Sequence, residues 1–290
     1  MKMDPALREH LRSGEELGSR YRLVVPETAL AGLAGQQLGR RAGSSVDFQD
    51  YREYQPGDDL RTIDWNVYAR TDRLTVKLFR EEVNPHLDLI LDGSASMNLA
   101  DSAKGQFALE LAGILSTAAE NARCTHAVWS AGEGFRRIEN DNLRASAWDG
   151  IAFQSKRTLD ESFAILPPRF RRSGIRVVLS DLFWMGNPQA TIRRFAEGAA
   201  ALFVVQVLGE ADVTPPEHGN IHLVDSETGE SLEMFIDAVV EKRYRDALRQ
   251  HQESWHEACR KSGARFVTVV AERRGESLKL IEEIQLLMPA

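Results

Sequence analysis

The sequence predicts an α/β protein: a mostly parallel, Rossmann-type sheet with helices on both faces, preceded by an N-terminal accessory segment carrying a β-strand or hairpin. Three observations carry this. Four short runs, "HLDLILD" (86–92), "IRVVLSD" (175–181), "ALFVVQVLG" (201–209) and "ARFVTVVA" (264–271), are strongly apolar, as strands buried on both faces are. Amphipathic stretches of helical period separate them, the pattern of a parallel sheet covered by helices. Two of the runs end on aspartate, Asp92 and Asp181, and parallel strands place both carboxylates on one rim.

Residues 1 to about 84 read differently from the rest. They are polar, with glycines at 32, 35, 39 and 43, and lead into "FQDYREYQPGDDLRTIDWNVYARTDRLTVKLFREE". "QPGDD" is a turn. Asp58 is placed to cap a short helix over roughly 59–69 with Leu60, Ile63 and Val67 on one face. "RLTVKLF" alternates as a strand, and its short link to "HLDLILD" predicts antiparallel neighbours in one sheet. The expected division is an accessory segment, 1–83, packed on a main domain, 84–290.

Within 84–290, the strand ending at Asp92 is followed by a helix in "DSAKGQFALELAGILSTAAENAR", with Phe107, Leu111, Ile114 and Leu115 at helical spacing. "THAVWS" and "FRRIE" predict a hairpin across "AGEG". A short helix near 142–150 precedes the loop "FQSKR". "TLDESFAIL" is a helix stopped by Pro167 and Pro168, and "PQATIRRFAEGAA" opens with proline as a helix should. A small hairpin is expected near 220–236, then a long helix over about 236–261 ending at Gly263, and a final helix closes the chain.

The chain has 290 residues, 43% hydrophobic and 27% charged, with a net charge of −7. That charge argues against nucleic acid as a partner, which requires a positive field; the basic run "PRFRRSGIR" reads as a solvated loop. Two distant cysteines, Cys124 and Cys259, form neither a disulfide framework nor a zinc site. No apolar run spans a bilayer, and the N-terminus carries charges where a signal peptide needs an apolar stretch. The expectation is a cytoplasmic chain with reduced thiols.

"LILDGSASMN" (90–99) puts a carboxylate and two hydroxyls where a buried strand stops. Aspartate-nucleophile phosphatases need a second Asp two residues on; here that position is Ser94. The G-x-S-x-G elbow is absent, and "HEACR" has Arg where a zinc helix needs its second His. The metal reading survives. Asp92, Ser94 and Ser96 form D-x-S-x-S, hard oxygens suited to Mg²⁺ or Mn²⁺. With so few charges the ion stays under-neutralised and can take an external carboxylate.

"LILDGSASM" resembles the first element of the metal-ion-dependent adhesion site of von Willebrand factor A domains. The second element of such sites, a Thr before a helix, corresponds to Thr158, and the third, an Asp ending a later strand, to Asp181. The usual third element has Gly after the Asp; here it is Leu182. The long string from 48 to 82 resembles the signature of the bacterial domain-of-unknown-function 58 family. Its members join such a segment to a von Willebrand A-like domain and often accompany MoxR-type AAA+ ATPases. The resemblance implies a von Willebrand A-like fold and a metal set of Asp92, Ser94, Ser96, Thr158 and Asp181.

Bland readings stand beside these. "TLDE" is a capping box, Ser96 could only cap a helix, and Asp181 could simply accept backbone N–H bonds. The cluster Arg52, Glu53, Asp58, Asp59, Arg61 and Asp64, interleaved with Tyr51, Tyr54, Trp65 and Tyr68, reads as an ion-paired brace with its rings buried; the alternative is a docking surface. Phe183 and Trp184 are either core or the apolar border of a binding patch.

The functional expectation is a non-enzymatic module that binds Mg²⁺ on its rim and recruits a protein partner through it. The alternatives are a metal-dependent hydrolase using Asp92 and Asp181, and a scaffold with a degenerate metal site. The chain has no phosphate-binding loop of its own, so a partner ATPase would supply any energy.

Overall fold

The computed structural model describes residues 2–27, 29, 46–58, 60–81, 84–99, 102–139, 143–184, 186–214, 218–226 and 229–290. Contacts divide the chain into two units, Met1–Ala29 with Pro85–Ala290, and Leu30–Asn84. Residues 1–29, expected to belong to an accessory segment 1–83, therefore fold with the larger unit.

The larger unit is an α/β fold. Its strands are β1 (Tyr21–Leu23), β4 (His86–Asp92), β5 (Thr125–Gly132), β6 (Gly134–Ile138), β7 (Ile175–Ser180), β8 (Ala201–Leu208), β9 (Gly219–Val224), β10 (Ser231–Ile236), β11 (Arg265–Val270) and β12 (Leu287–Pro289). Its helices are α1 (Pro5–Gly18), α3 (Lys104–Asn121), α4 (Leu159–Ile165), α5 (Pro188–Ala196), the short α6 (Glu210–Val213), α7 (Ala238–Lys261) and α8 (Arg274–Glu283). Among the described residues the main sheet has six strands in the order β11-β8-β7-β4-β5-β6, parallel except for β6. Side chains of β4 alternate between two cores. Leu87, Leu89 and Leu91 face Leu11 of α1, Phe107 and Leu111 of α3, and Ile281 of α8. Ile90 faces Leu159 of α4, Phe195 of α5 and Trp255 of α7. Helices thus cover both faces.

The second unit contains β2 (Val46–Glu53), β3 (Thr75–Glu81) and α2 (Trp65–Thr71). The expected pairing of "RLTVKLF" with "HLDLILD" is wrong: β3 pairs antiparallel with β2, and both flanks of β4 are taken by β5 and β7. The helix expected over 59–69 splits into a 3₁₀ turn at Leu60–Thr62 and α2. Asp64 caps α2, accepting from the N–H groups of Asn66 and Val67. Asp58 instead accepts two bonds from Arg52, at 2.7 and 2.6 Å. Asp64 also meets Lys77 at 3.0 Å and Tyr51 Oη at 3.0 Å; the Lys77 bond first of all holds its carboxyl down to about 2. Within the expected cluster Arg52 pairs with Asp58, while Asp64 finds its cation outside it, in Lys77; the rings of Tyr51, Trp65 and Tyr68 are exposed, not buried. Asp59, the glycines at 32, 35, 39 and 43, and residue 142 of the helix expected near 142–150 lie outside the described residues.

Helix α1 was not expected. Asp4 accepts from the Ala6 N–H and Pro5 begins the helix, a start signal visible in "MDPAL". Gly14 and Gly113 let α1 and α3 cross closely: a Cβ on Gly113 would stand 2.4 Å from the Leu11 carbonyl oxygen. Among the described residues near 142–150 there is a 3₁₀ turn, Ala145–Ala147, and no α-helix. The chain ends on β12, not on a helix, because β12 pairs antiparallel with β1. The β5–β6 and β9–β10 hairpins lie where expected. Cys124 and Cys259 are buried free thiols, which burial pushes up to about 11 and about 12.

Candidate metal and partner site

Strands β4 and β7 are adjacent at the centre of the sheet. From β4 the chain proceeds to β5 on one side, and from β7 to β8 on the other. The crevice at their carboxyl ends is thus a topological switch point, where open parallel sheets bind ligands. Asp92 ends β4 and Asp181 follows β7, both buried, at 3% and 1% exposure.

The loop after Asp92 is shaped by Gly93. A Cβ there would stand 2.4 Å from the Ala131 carbonyl oxygen and 3.0 Å from that of Ala152. Only glycine passes between the end of β5 and the 152–155 segment. That segment is stitched to the loop by Ser155 N–H to the Gly93 carbonyl (2.9 Å) and Ala95 N–H to the Ser155 carbonyl (2.8 Å). The Ser94 N–H donates to Asp92 Oδ1 at 2.9 Å, and Ser180 Oγ donates to Asp92 Oδ2 at 2.5 Å. The Ser94 and Ser96 hydroxyls hydrogen-bond to each other, with their oxygens 3.0 Å apart.

Burial, then the neighbouring Asp181 carboxylate, pushes the Asp92 carboxyl up to about 6, against the pull of the Ser180 and Ser94 hydrogen bonds. Asp181 Oδ2 accepts from Lys104 Nζ at 2.9 Å, and Asp212 of α6 approaches the same ammonium at 3.3 Å. Lys104 is 1% exposed. Burial alone would lower its pKa, but the charges of Asp181 and Asp212 outweigh this and hold it above the usual lysine value. Phe183 covers the ammonium, with its ring centroid 5.4 Å from Nζ. Trp184 packs on Trp255, 4.9 Å between centroids. Of the two rings, one roofs the site and the other joins the core.

Leu182 stands where the resembling motif has glycine, and it adopts the left-handed conformation that glycine favours, at φ 59°. Its side chain is buried at 1% exposure, and apolar burial of this size offsets the roughly 1–2 kcal/mol of backbone strain. His251 of α7 meets the Leu182 carbonyl at 2.9 Å and steadies the same loop.

Thr158 is the N-cap of α4 in a complete capping box: the Glu161 N–H donates to Thr158 Oγ1 (3.2 Å), and the Thr158 N–H to Glu161 Oε2 (2.9 Å). It sits three residues past Ser155, which the loop of Ser94 contacts. Among the described residues no hydrogen bond joins Thr158 to Asp92, Ser94, Ser96 or Asp181. The structure thus brings Asp92, Ser94, Ser96 and Asp181 to one rim and gives Thr158 a capping role beside it.

Sequence reasoning missed Lys104, Asp212, Ser180 and His251. Lys104 did carry a signal, since it falls on the Phe107–Leu111 stripe of α3, where a charge is rarely buried without a partner. Asp212 and His251 are 31 and 70 residues beyond Asp181 in the numbering, and only the fold brings them near. Among the described residues no three His, Cys, Asp or Glu side chains gather to hold a metal.

Among the described residues no helix is long and apolar enough to cross a membrane. Two solved structures give weak matches, each with a TM-score of 0.33 over 69% of this chain. One is a conserved hypothetical protein BatB from Bacteroides thetaiotaomicron (11% identity, 98% of that chain). The other is an aerotolerance-related membrane protein from Bacteroides fragilis carrying multiple mutations to serines (14% identity, 100% of that chain). At this TM-score the likeness assigns nothing. Uncharacterized proteins of Mycobacterium tuberculosis and Mycobacterium bovis are 27% identical over 285 residues, covering 93% of this chain and 86% of theirs. An uncharacterized protein of Mycobacterium avium is 31% identical over 103 residues, 36% of this chain and 60% of its own. The family described as protein of unknown function DUF58 matches residues 50–254, and the chain belongs to that family.

Proposed function

We propose that the β4–β7 rim is a Mg²⁺-dependent protein-binding site of the von Willebrand A adhesion type, in which the ion bridges to a carboxylate of a partner protein. One observation carries the reading: two strand-end carboxylates flank the switch point, with a serine pair whose oxygens lie 3.0 Å apart. Mg²⁺ takes oxygens at about 2.0–2.1 Å in an octahedron, so neighbouring ligands are about 3 Å apart. Asp92, Ser94 and Ser96 would hold the ion, with Asp181 and Thr158 direct or through water. Mn²⁺ suits the same donors. The charge balance also fits. Asp92, Asp181, Asp212 and Lys104 together carry two negative charges when ionised, which one divalent ion neutralises.

The partner supplies an acidic side chain to a ligand position otherwise held by water. The resemblance of the 48–82 string makes a MoxR-type AAA+ ATPase the first candidate, as direct partner or as the machine remodelling a shared client. A second reading has a specific observation behind it: the Lys104 ammonium already sits on Asp181, as in a scaffold whose metal has been replaced by a lysine.

Mg²⁺ titration of the thermal midpoint separates the two, because stabilisation follows ligand excess over Kd. The binding reading expects a Mg²⁺-dependent rise in Tm in the parent and none in a folded Asp92→Ala variant. Equal shifts in both sink it, and a flat parent up to tens of millimolar Mg²⁺ favours the scaffold. Pull-downs in Mg²⁺, in EDTA and with Asp181→Ala test the bridge; a partner retained equally in all three refutes it. Turnover of a phosphoester panel in Mg²⁺ would instead favour the metal-dependent hydrolase.

A further inference from the structure

We infer that Lys104 is a built-in counter-ion that tunes this site, limiting its affinity for the divalent ion and leaving the loaded rim neutral enough to accept an external carboxylate. The inference rests on the metal reading above.

The geometry assigns Lys104 an unusual place. It lies in the first turn of α3, the helix end whose dipole is positive and which favours anions over cations. It is 1% exposed. Taking an ammonium out of water costs several kcal/mol unless it is closely paired. Here the pairing is double, with Asp181 Oδ2 at 2.9 Å and Asp212 Oδ2 at 3.3 Å, under the face of Phe183. A leucine would fill the same stripe of α3 at no such cost.

The charge balance supplies a reason for a lysine. With Lys104 present, a divalent ion brings the three carboxylates and the ammonium to neutrality. Without it, the loaded cluster would keep one negative charge in a buried setting and repel an incoming carboxylate. Lys104 engages Oδ2 of Asp181, while Oδ1 accepts the Phe183 N–H at 3.2 Å.

A purely structural brace and a counter-ion predict opposite signs. If Lys104 only holds Asp181 in place, removing it disorders a ligand and weakens metal binding. If it is a counter-ion, removing it raises the local negative charge and strengthens binding. The test is calorimetric titration of MgCl₂ into EDTA-stripped full-length protein. Lys104→Met should bind Mg²⁺ about tenfold or more tightly than the parent, on the scale of one charge a few ångströms away near a protein surface. Lys104→Arg, which keeps the charge, should stay within a few-fold of the parent.

Asp212→Asn is the safeguard should Lys104→Met not fold. Asp212 lies on the four-residue α6 with a side chain 20% exposed. The amide oxygen can still accept the Gly209 N–H that Asp212 accepts at 2.7 Å. With one negative charge fewer, this variant should bind Mg²⁺ about threefold more weakly, a smaller effect at the longer distance. Opposite signs in the Lys104→Met and Asp212→Asn variants support the counter-ion. Weaker binding in Lys104→Met, or unchanged or tighter binding in Asp212→Asn, overturns it while leaving the metal reading standing. A parent that binds no Mg²⁺ removes both.

Discussion

Strand β4 carries two buried carboxylates four residues apart on the same face, Asp88 near its start and Asp92 at its end, and they are treated in opposite ways. Asp88 is closed. Its Oδ1 accepts from the Trp129 indole at 2.9 Å and its Oδ2 from the Arg171 N–H at 3.0 Å. The neighbouring Arg176 guanidinium feels its charge, and its Nη1 donates to the carbonyls of Phe195 and Glu197. Asp92 has hydrogen bonds too, but the charged group it feels most is another carboxylate, Asp181, and the nearby ammonium is committed to Asp181 and Asp212. A carboxylate kept for structure is surrounded by donors and a cation. One available for a ligand has a like charge beside it.

The largest effect expected from this contrast is at the closed end. Asp88→Ala leaves the Trp129 and Arg171 N–H groups without their acceptor and the buried Arg176 guanidinium without a nearby counter-charge. It should cost about 3 kcal/mol or more and lower Tm by roughly 10 °C, equally in Mg²⁺ and in EDTA. A Mg²⁺-dependent loss would mean that the two ends of β4 are not independent.

Asp92→Asn should do the reverse in EDTA. With its carboxyl held near 6 in the fold against about 3.9 unfolded, the folded chain retains a proton that the unfolded chain has lost. The group's favourable contribution is complete below about pH 4 and disappears as pH rises through 6. At pH 7 the charged form therefore destabilises, and Asp92→Asn should gain about 1–2 kcal/mol in metal-free buffer while losing any response to Mg²⁺. Chemical denaturation at pH 5 and pH 7 checks both signs; a variant less stable than the parent at pH 7 in EDTA would place Asp92 with Asp88.

Thr158→Ala removes the cap of α4 and should cost about 1 kcal/mol in either buffer. If the Mg²⁺ shift also shrinks, Thr158 ligates as well as caps. The smallest expected effect lies in the second unit. Asp64, held down to about 2 chiefly by Lys77, contributes stability above about pH 4 that is lost as pH falls toward 2, the mirror image of Asp92. Asp64→Asn should flatten the acid limb of the unfolding profile without touching the Mg²⁺ response.

Much of this was legible in the chain. Apolar runs of strand length separated by helical periods can be satisfied only by a covered parallel sheet, so the fold class follows from burial and backbone hydrogen bonding. Asp92, Ser94 and Ser96 are close in sequence, so the loop leaving β4 had to place them together, and Asp181 followed from strand polarity. The capping box of Thr158 was equally local. Pairing was not. The short link from β3 to β4 suggested neighbours, yet β4 is claimed by β5 and β7, which take the hydrogen-bonding groups along both its edges. The rings of Tyr51, Trp65 and Tyr68 look like core in composition, but their charges close on one another through Arg52–Asp58 and Lys77–Asp64 without needing those rings inside. Lys104, Asp212 and His251 reach the rim only through the stacking of α3, α6 and α7 on the sheet. The sequence by itself determined which oxygens stand at the strand end, because they are covalent neighbours. Which charges face them was decided by tertiary packing alone, because a buried ammonium chooses its partners by distance in space and desolvation, neither of which is written in sequence separation.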